Sequence, residues 1–250
     1  MTLTIARFKP ENVSSEEASK VLASTPNHYK LEYFFVSGVG AVPRDILAYS
    51  GADWEDKEVT NWPAEKNSPF GVYPILHIHT SDGKHLRLCE SIVVEHFLAK
   101  KFGLLGDNEW DEQQIKMFHS SSLYLRERLF MRVTWNYKEV MDKAFDKFMS
   151  DELPLWIETH TKHLKDNGSN GHYVGNKLSV ADIQTANNID HMQFIQGADK
   201  VLEMIKSKSP EIWKVKEAVD SEPRLQKWRQ SEGYQRHLAM SKAVYGNTGI

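Results

Sequence analysis

The sequence predicts an α/β half at 28–107 followed by an all-helical half at 108–250. Three observations favour this fold class. Apolar residues at strand-like spacing flank an Asp-Gly pair at 82–83, which is a strong β-hairpin signal. Strand-like and helical segments alternate before residue 108, and only helical spacings remain after it. A chain of 250 residues with 40% hydrophobic content is long enough to bury two such cores.

The first half opens with a strand, a helix and a second strand. Residues 30–36 alternate and end in aromatic and apolar residues, which predicts a strand with Tyr33 near its end. Residues 37–41 form a loop, Pro43 suits the first turn of a helix, and Gly51 suits its C-cap. Residues 55–59 predict the second strand.

The hairpin joins 75–78 to 86–88 and leads into a helix at Ser91. The resulting order, β-α-β followed by β-β-α, predicts helices against a four-stranded mixed sheet, which is a thioredoxin-like arrangement. Residues 1–27 precede it as an extension, in which Ser14 to Glu17 predicts a capping box for a short helix. We interpret the extension as surface structure, with a regulatory or targeting role as the alternative.

The ends of the hairpin carry groups that suit a small zwitterionic peptide. Pro74 opens the first strand and cannot donate to a ladder, and a cis bond there would turn the backbone of Val72 and Tyr73 outward toward an extended ligand. Ser91 stands at a helix N-terminus, where hydroxyl, amides and dipole favour a carboxylate. Glu90 beside it offers charge for an ammonium group.

The helical half carries one strong local signal. Ser179 and Asp182 have the spacing of a capping box, which we interpret as a folding element. Further helices are predicted at 198–205, 211–219 and 225–229.

Composition limits the partners and the chemistry. A net charge of −3 and a pI near 6.4 give no reason to expect nucleic acid or an anionic membrane. No apolar run approaches the roughly 20 residues of a membrane span. With Cys89 as the one cysteine and no apolar signal core at the start, we expect a reducing cytoplasm and a buried, unreactive thiol. His77 and His79 share a face of one strand, but the sequence offers no third ligand, so no metal is expected.

The stretch from 69 to 91, together with YKLEYF at 29–34, Trp62-Pro63 and LAKKFGL at 98–104, resembles the glutathione-binding half of cytosolic glutathione S-transferases. These sequence motifs are most similar to those of the sigma class, which includes glutathione-dependent prostaglandin D synthases and lens S-crystallins. The likeness covers 29–107 well and the rest only in outline.

The resemblance implies a homodimeric cytoplasmic enzyme of detoxification that uses glutathione as co-substrate and conjugates it to a small hydrophobic electrophile. It implies that the hydroxyl of Tyr33 activates the thiol, whereas Tyr29 is a structural aromatic. It also implies an aromatic key into the partner subunit at Phe70. The implied glutathione-binding residues are Tyr33, Phe34, Trp62, Lys66, Val72, Tyr73, Pro74, Glu90 and Ser91.

The chain departs from the sigma pattern at several positions. Val39 stands where those enzymes have an arginine near the catalytic tyrosine, which keeps alternatives open, and the aspartate that reaches across the dimer in the family has no clear match near Tyr124. Glu90 replaces their usual glutamine, a change that should keep the contact with the ammonium group. The alternatives are a non-enzymatic binding or structural protein on the same scaffold and a glutathione-dependent isomerase. The spacing does not fix the substrate pocket; residues that could line it are Leu123, Arg126, Phe130 and Trp135.

Overall fold

A four-stranded mixed sheet forms the first of two compact units, which divide after Leu98. The computed structural model describes residues 13–24, 27–60, 70–195 and 197–246. The strands are β1 (His28–Tyr33), β2 (Asp53–Glu58), β3 (Ile75–His79) and β4 (His85–Cys89), in the spatial order β2-β1-β3-β4. β1 runs parallel to β2, and β3 runs antiparallel to both β1 and β4. The predicted thioredoxin-like fold is confirmed.

Three helices accompany the sheet: α1 (Ser15–Ala23), α2 (Ala41–Ser50) and α3 (Ser91–Lys101). The predicted capping box at the start of α1 is present, because Ser14 accepts from the amide of Glu17 while the Glu17 carboxylate accepts from the amide of Ser14. Gly51 ends α2 in the left-handed region, at φ 69°, as its C-cap position requires.

The helix α3 begins at Ser91, as the sequence predicts, and the residue before it is its N-cap. The carbonyl of Glu90 accepts from the amides of Val93 and Val94, both at 3.0 Å, and Glu90 has a positive φ of 71°. A residue whose carbonyl accepts the first helical bond while its own backbone is non-helical is the N-cap. Glu90 is therefore the cap, and Ser91 is the first helical residue.

The second unit is helical. No strand occurs after residue 108 among the residues that the structure describes. The predicted capping box closes around the buried residues Ser179 and Asp182. Two π-helical segments, Leu129–Thr134 and Phe148–Glu152, lie between successive α-helices of this unit. The helices are α4 (Glu109–Arg128), α5 (Lys138–Lys147), α6 (Leu153–Asp166), α7 (Val180–Met192), α8 (Ala198–Lys208), α9 (Pro210–Ser221), α10 (Pro223–Arg229) and α11 (Glu232–Gly246).

Sequence patterns missed α11 and the first two residues of both β1 and β2, and they extended β1 three residues and β2 one residue too far. β2 is largely exposed and strongly polar, so it carries no apolar alternation; it forms because its backbone pairs with β1 from His28↔Asp53 onward. Across the described ranges, no helix combines the length and the apolar character that crossing a membrane demands.

Candidate active site

Three strand ends lie side by side at one edge of the sheet. The pairs Glu32↔Ile75 and Ile75↔Cys89 fix the register of β1, β3 and β4. The residues that come next along each strand are Tyr33, Pro74 and Glu90, so they lie in a row across three neighbouring strands. Because neighbouring strands are about 4.8 Å apart, this row spans roughly 10 Å.

The ring of Tyr33 is held firmly at one end of this row. Tyr33 is 7% exposed and forms a buried cluster with Tyr73 and Ile75. Phe34 contacts both tyrosines edge to face, with ring centroids 5.3 Å from Tyr33 and 5.6 Å from Tyr73. The structure therefore brings together three of the aromatic residues predicted for the site.

The hydroxyl of Tyr33 accepts a hydrogen bond from the backbone amide of Val39 at 3.2 Å. Val39 belongs to a 3₁₀ turn, Gly38–Gly40, that folds against the tyrosine ring. A Cβ atom on Gly40 would lie 2.4 Å from Cδ1 of Tyr33, so only glycine permits this close approach. The turn thus delivers an amide to the phenol oxygen.

Arg44, which no sequence pattern singled out, holds the segment that leads into this turn. Its buried guanidinium binds both carboxylate oxygens of Asp56, at 2.8 and 3.2 Å. It also donates to the carbonyls of Val36 at 2.7 Å and Phe34 at 3.1 Å. It lies 5.5 Å from the ring centroid of Tyr33. The charged pair Arg44-Asp45, flanked by apolar residues in this helix, is the signal that could have identified it.

The middle of the row is the Tyr73–Pro74 peptide bond, which is cis. Tyr73 is buried, whereas Val72 is 40% exposed. Both precede the first ladder pair of β3, at Ile75, so the backbone of Tyr73 lies at the edge rather than within the sheet.

The far end of the row is the N-terminus of α3. Glu90 is exposed and Ser91 is half-buried. The first amides of a helix have no intrahelical acceptor and carry the positive end of its dipole, so this terminus suits an anionic group.

Other predicted residues lie elsewhere. Trp62 and Lys66 fall outside the described residues. Cys89 is a buried cysteine and Tyr29 is 1% exposed, which agrees with structural roles for both, and burial raises the pKa of the Tyr29 phenol. Phe70 is 56% exposed.

The residues suggested for the substrate pocket belong to the helical unit, where two of them are core. Arg126 is 1% exposed and Phe130 is 5% exposed, and Phe130 packs against Phe194 and Tyr245. Trp135 is 43% exposed. The lining of that pocket stays a prediction.

Comparison with known proteins places the chain in one class, that of thioredoxin-like transferases with a helical second part. Residues 125–232 match the family described as "Glutathione S-transferase, C-terminal domain". The chain is 32% identical over 210 residues to probable glutathione S-transferase 7 of Caenorhabditis elegans, covering 80% of this chain and 95% of that protein.

Two solved structures extend the match. A monomeric glutathione S-transferase of the hookworm Necator americanus superposes with a TM-score of 0.69 at 29% identity, covering 82% of this chain and 97% of the other. Prostaglandin synthase D of Nilaparvata lugens gives a TM-score of 0.69 at 26% identity, with coverages of 82% and 98%. This chain belongs to the glutathione S-transferase family and is a transferase.

Proposed function

We propose that the chain binds glutathione along the row of strand ends and transfers its sulfur to small apolar electrophiles. The observation that carries the proposal is the alignment of Tyr33, the Tyr73–Pro74 bond and the start of α3 at one sheet edge. An extended tripeptide spans about 10 Å at 3.3 to 3.6 Å per residue, which matches the length of the row.

The γ-glutamyl end would lie at the start of α3. The hydroxyl of Ser91 and the first amides of the helix receive the α-carboxylate, and the exposed carboxylate of Glu90 receives the ammonium group. The left-handed backbone of Glu90 supports this role, because non-glycine residues in that region cluster at functional sites.

The cysteinyl part would lie along Val72, Tyr73 and Pro74, with main-chain groups of Tyr73 pairing with the peptide. Phe34 would form a wall of the thiol pocket, which its edge-to-face contacts with both tyrosines support. The glycyl carboxylate would bind Trp62 and Lys66 through the indole N–H and the ammonium charge.

The thiol is activated by Tyr33 in this proposal. A free thiol has a pKa near 8.5, so about 3% is thiolate at pH 7, and the thiolate is the nucleophile. A phenol that donates to sulfur favours the charged form, and a lowering of two pKa units corresponds to about 2.7 kcal/mol. The amide of Val39 supports this role, because a hydroxyl that accepts one hydrogen bond becomes a better donor of the next.

The transfer step forms one bond and breaks another. The thiolate attacks an electrophilic carbon, the new C–S bond forms, and the leaving group departs with its electron pair; with an aryl halide, halide is released. A glutathione-dependent isomerase is the second candidate, because a prostaglandin synthase is among the structural relatives.

We further propose a sigma-like, cytoplasmic enzyme of detoxification that acts as a homodimer, with Phe70 contacting the partner subunit. The exposure of this large aromatic, at 56%, supports the contact.

Turnover of a generic aryl halide with glutathione, together with calorimetric titration of glutathione, tests the function. Stoichiometric binding with halide release supports conjugation. Binding and a thiolate signal without halide release would favour the isomerase, and absence of glutathione binding would overturn the proposal.

A further inference from the structure

Three histidines meet on one face of the hairpin at its turn end. His77 and His79 lie two residues apart on β3 and so share a face of the strand. His85 lies on β4 directly opposite His79. One ring nitrogen from each residue can be chosen so that all three lie within 4.8 Å of one another. The third ligand that β3 alone does not supply therefore comes from β4.

One pair already has nearly the spacing that a metal imposes. Nδ1 of His77 lies 3.0 Å from Nε2 of His85. Two nitrogens that bind one tetrahedral zinc ion at 2.0 to 2.1 Å are about 3.3 Å apart. Nε2 of His77 is bound to the carboxylate of Glu32 at 2.8 Å, which fixes the ring and leaves Nδ1 directed at His85. Carboxylates hold metal-ligating histidines in this way.

The third ring supplies an unpartnered nitrogen. Nε2 of His79 is buried and meets no hydrogen-bond partner within the described ranges. The rings of His79 and His85 are 4.3 Å apart and nearly parallel, at 4°. A shared metal ion requires the His79 ring to rotate about χ2, and this torsion has a broad energy profile.

We propose that His77, His79 and His85 bind one divalent transition-metal ion of the zinc type, with a fourth position open to water. Neutral imidazoles are the ligand set that such ions prefer.

The surrounding charges are largely paired. Lys30, whose charge acts on His79 and His85, lies 3.5 Å from the carboxylate of Glu55. Glu32 supplies a buried negative charge next to the site and is shared with Lys57 at 3.2 Å.

The ion would link β3 to β4 at the end of the hairpin opposite the proposed glutathione site. Ile75 and His79 are the two ends of β3, and four residues at about 3.3 Å each separate them by roughly 13 Å. Metal binding should therefore change the thermal stability of the protein and leave the rate of glutathione transfer unchanged. If the protein binds no metal, the proposed transfer reaction is unaffected.

The experiment uses untagged full-length protein stripped of metal by a chelator. Titration with Zn²⁺ at pH 7.5 should show one ion per chain, and Co²⁺ should give the visible bands of tetrahedral coordination. His79→Gln and His85→Gln should each weaken zinc binding by at least about 100-fold, beyond the 10- to 100-fold typical of losing an outer hydrogen bond to a ligand. His163→Gln, which replaces an exposed histidine of α6, is the matched control and should bind as wild type.

Thermal melting separates loss of a ligand from loss of the fold. Zinc should raise the midpoint of the wild type and of His163→Gln, because an ion that binds only the native state stabilises it, but should not raise that of His79→Gln. Absence of the tetrahedral cobalt bands in the wild type, which requires no variant, would overturn the proposal. Zinc affinity unchanged in both site variants would also overturn it.

Discussion

Replacing Tyr33 by phenylalanine isolates the hydroxyl from the ring. The ring is 7% exposed and packs against Phe34, so its place in the cluster is kept. The groups proposed to hold glutathione at Tyr73, Glu90 and Ser91 are unchanged. We therefore expect the rate of transfer to fall while the dissociation constant of glutathione stays within a few-fold of wild type.

The magnitude follows from two hydrogen bonds at the phenol oxygen. Losing the bond to sulfur removes about 2 to 3 kcal/mol of thiolate stabilisation, which lowers kcat/KM roughly 30- to 150-fold near pH 7. Losing the bond from Val39 leaves its amide without this acceptor, at 3.2 Å in the wild type, and should lower the free energy of unfolding by about 1 kcal/mol.

The assay is the pH dependence of aryl halide conjugation from pH 6.5 to 9.5, alongside the ultraviolet thiolate band of bound glutathione. The deficit of Tyr33→Phe should shrink as the pH passes about 8.5, because the unassisted thiol then ionises by itself. Tyr29→Phe is the matched control, since it removes a hydroxyl from the same strand at a residue 1% exposed. Its turnover and thiolate titration should equal those of the wild type.

Wild-type turnover together with an unshifted thiolate titration in Tyr33→Phe would refute the reasoning. Tyr33 would then be a packing residue, and the turn at 37–41 would be the place to seek another donor to sulfur.

Three further predictions concern binding, stability and assembly. Ser91→Ala should weaken glutathione binding by about 1.5 to 3 kcal/mol, the range for hydrogen bonds to charged groups; an unchanged calorimetric constant would remove Ser91 from the site. Arg44→Met should lower the free energy of unfolding in urea by about 3 kcal/mol, because the carboxylate of Asp56, which is only one-fifth exposed, loses its arginine partner. A loss below about 1 kcal/mol would contradict a buried ion pair. Phe70→Ser should shift the mass measured by sedimentation from that of a dimer toward that of a monomer, and a monomeric wild type would contradict this prediction.

Local rules made much of the sheet and its capping boxes predictable. Asp82 and Gly83 alone predict the hairpin turn, and Gly83 adopts the expected left-handed backbone at φ 83°. The capping boxes at Ser14 and Ser179 each join two residues three positions apart, so their geometry depends little on the rest of the chain.

Features that depend on tertiary pairing escaped the sequence patterns. The ion pair of Arg44 and Asp56 joins a helix to a strand twelve residues later, and no periodicity marks such a partner. His85 becomes a neighbour of His79 only through the register of β3 against β4. The capping role of Glu90 was missed because its left-handed backbone is rare for glutamate.

The amide of Val39 changes what the absent arginine means for thiol activation. A backbone amide donates whatever side chain it carries, so valine removes a charge but keeps the hydrogen bond to Tyr33. The guanidinium of Arg44 lies 5.5 Å from the centroid of the Tyr33 ring, but its bidentate contact with the carboxylate of Asp56 places a negative charge beside it and weakens its field. In the proposed mechanism the thiolate is therefore stabilised mainly by the Tyr33 hydroxyl, and we predict that the rate lost in Tyr33→Phe accounts for nearly all of the activation.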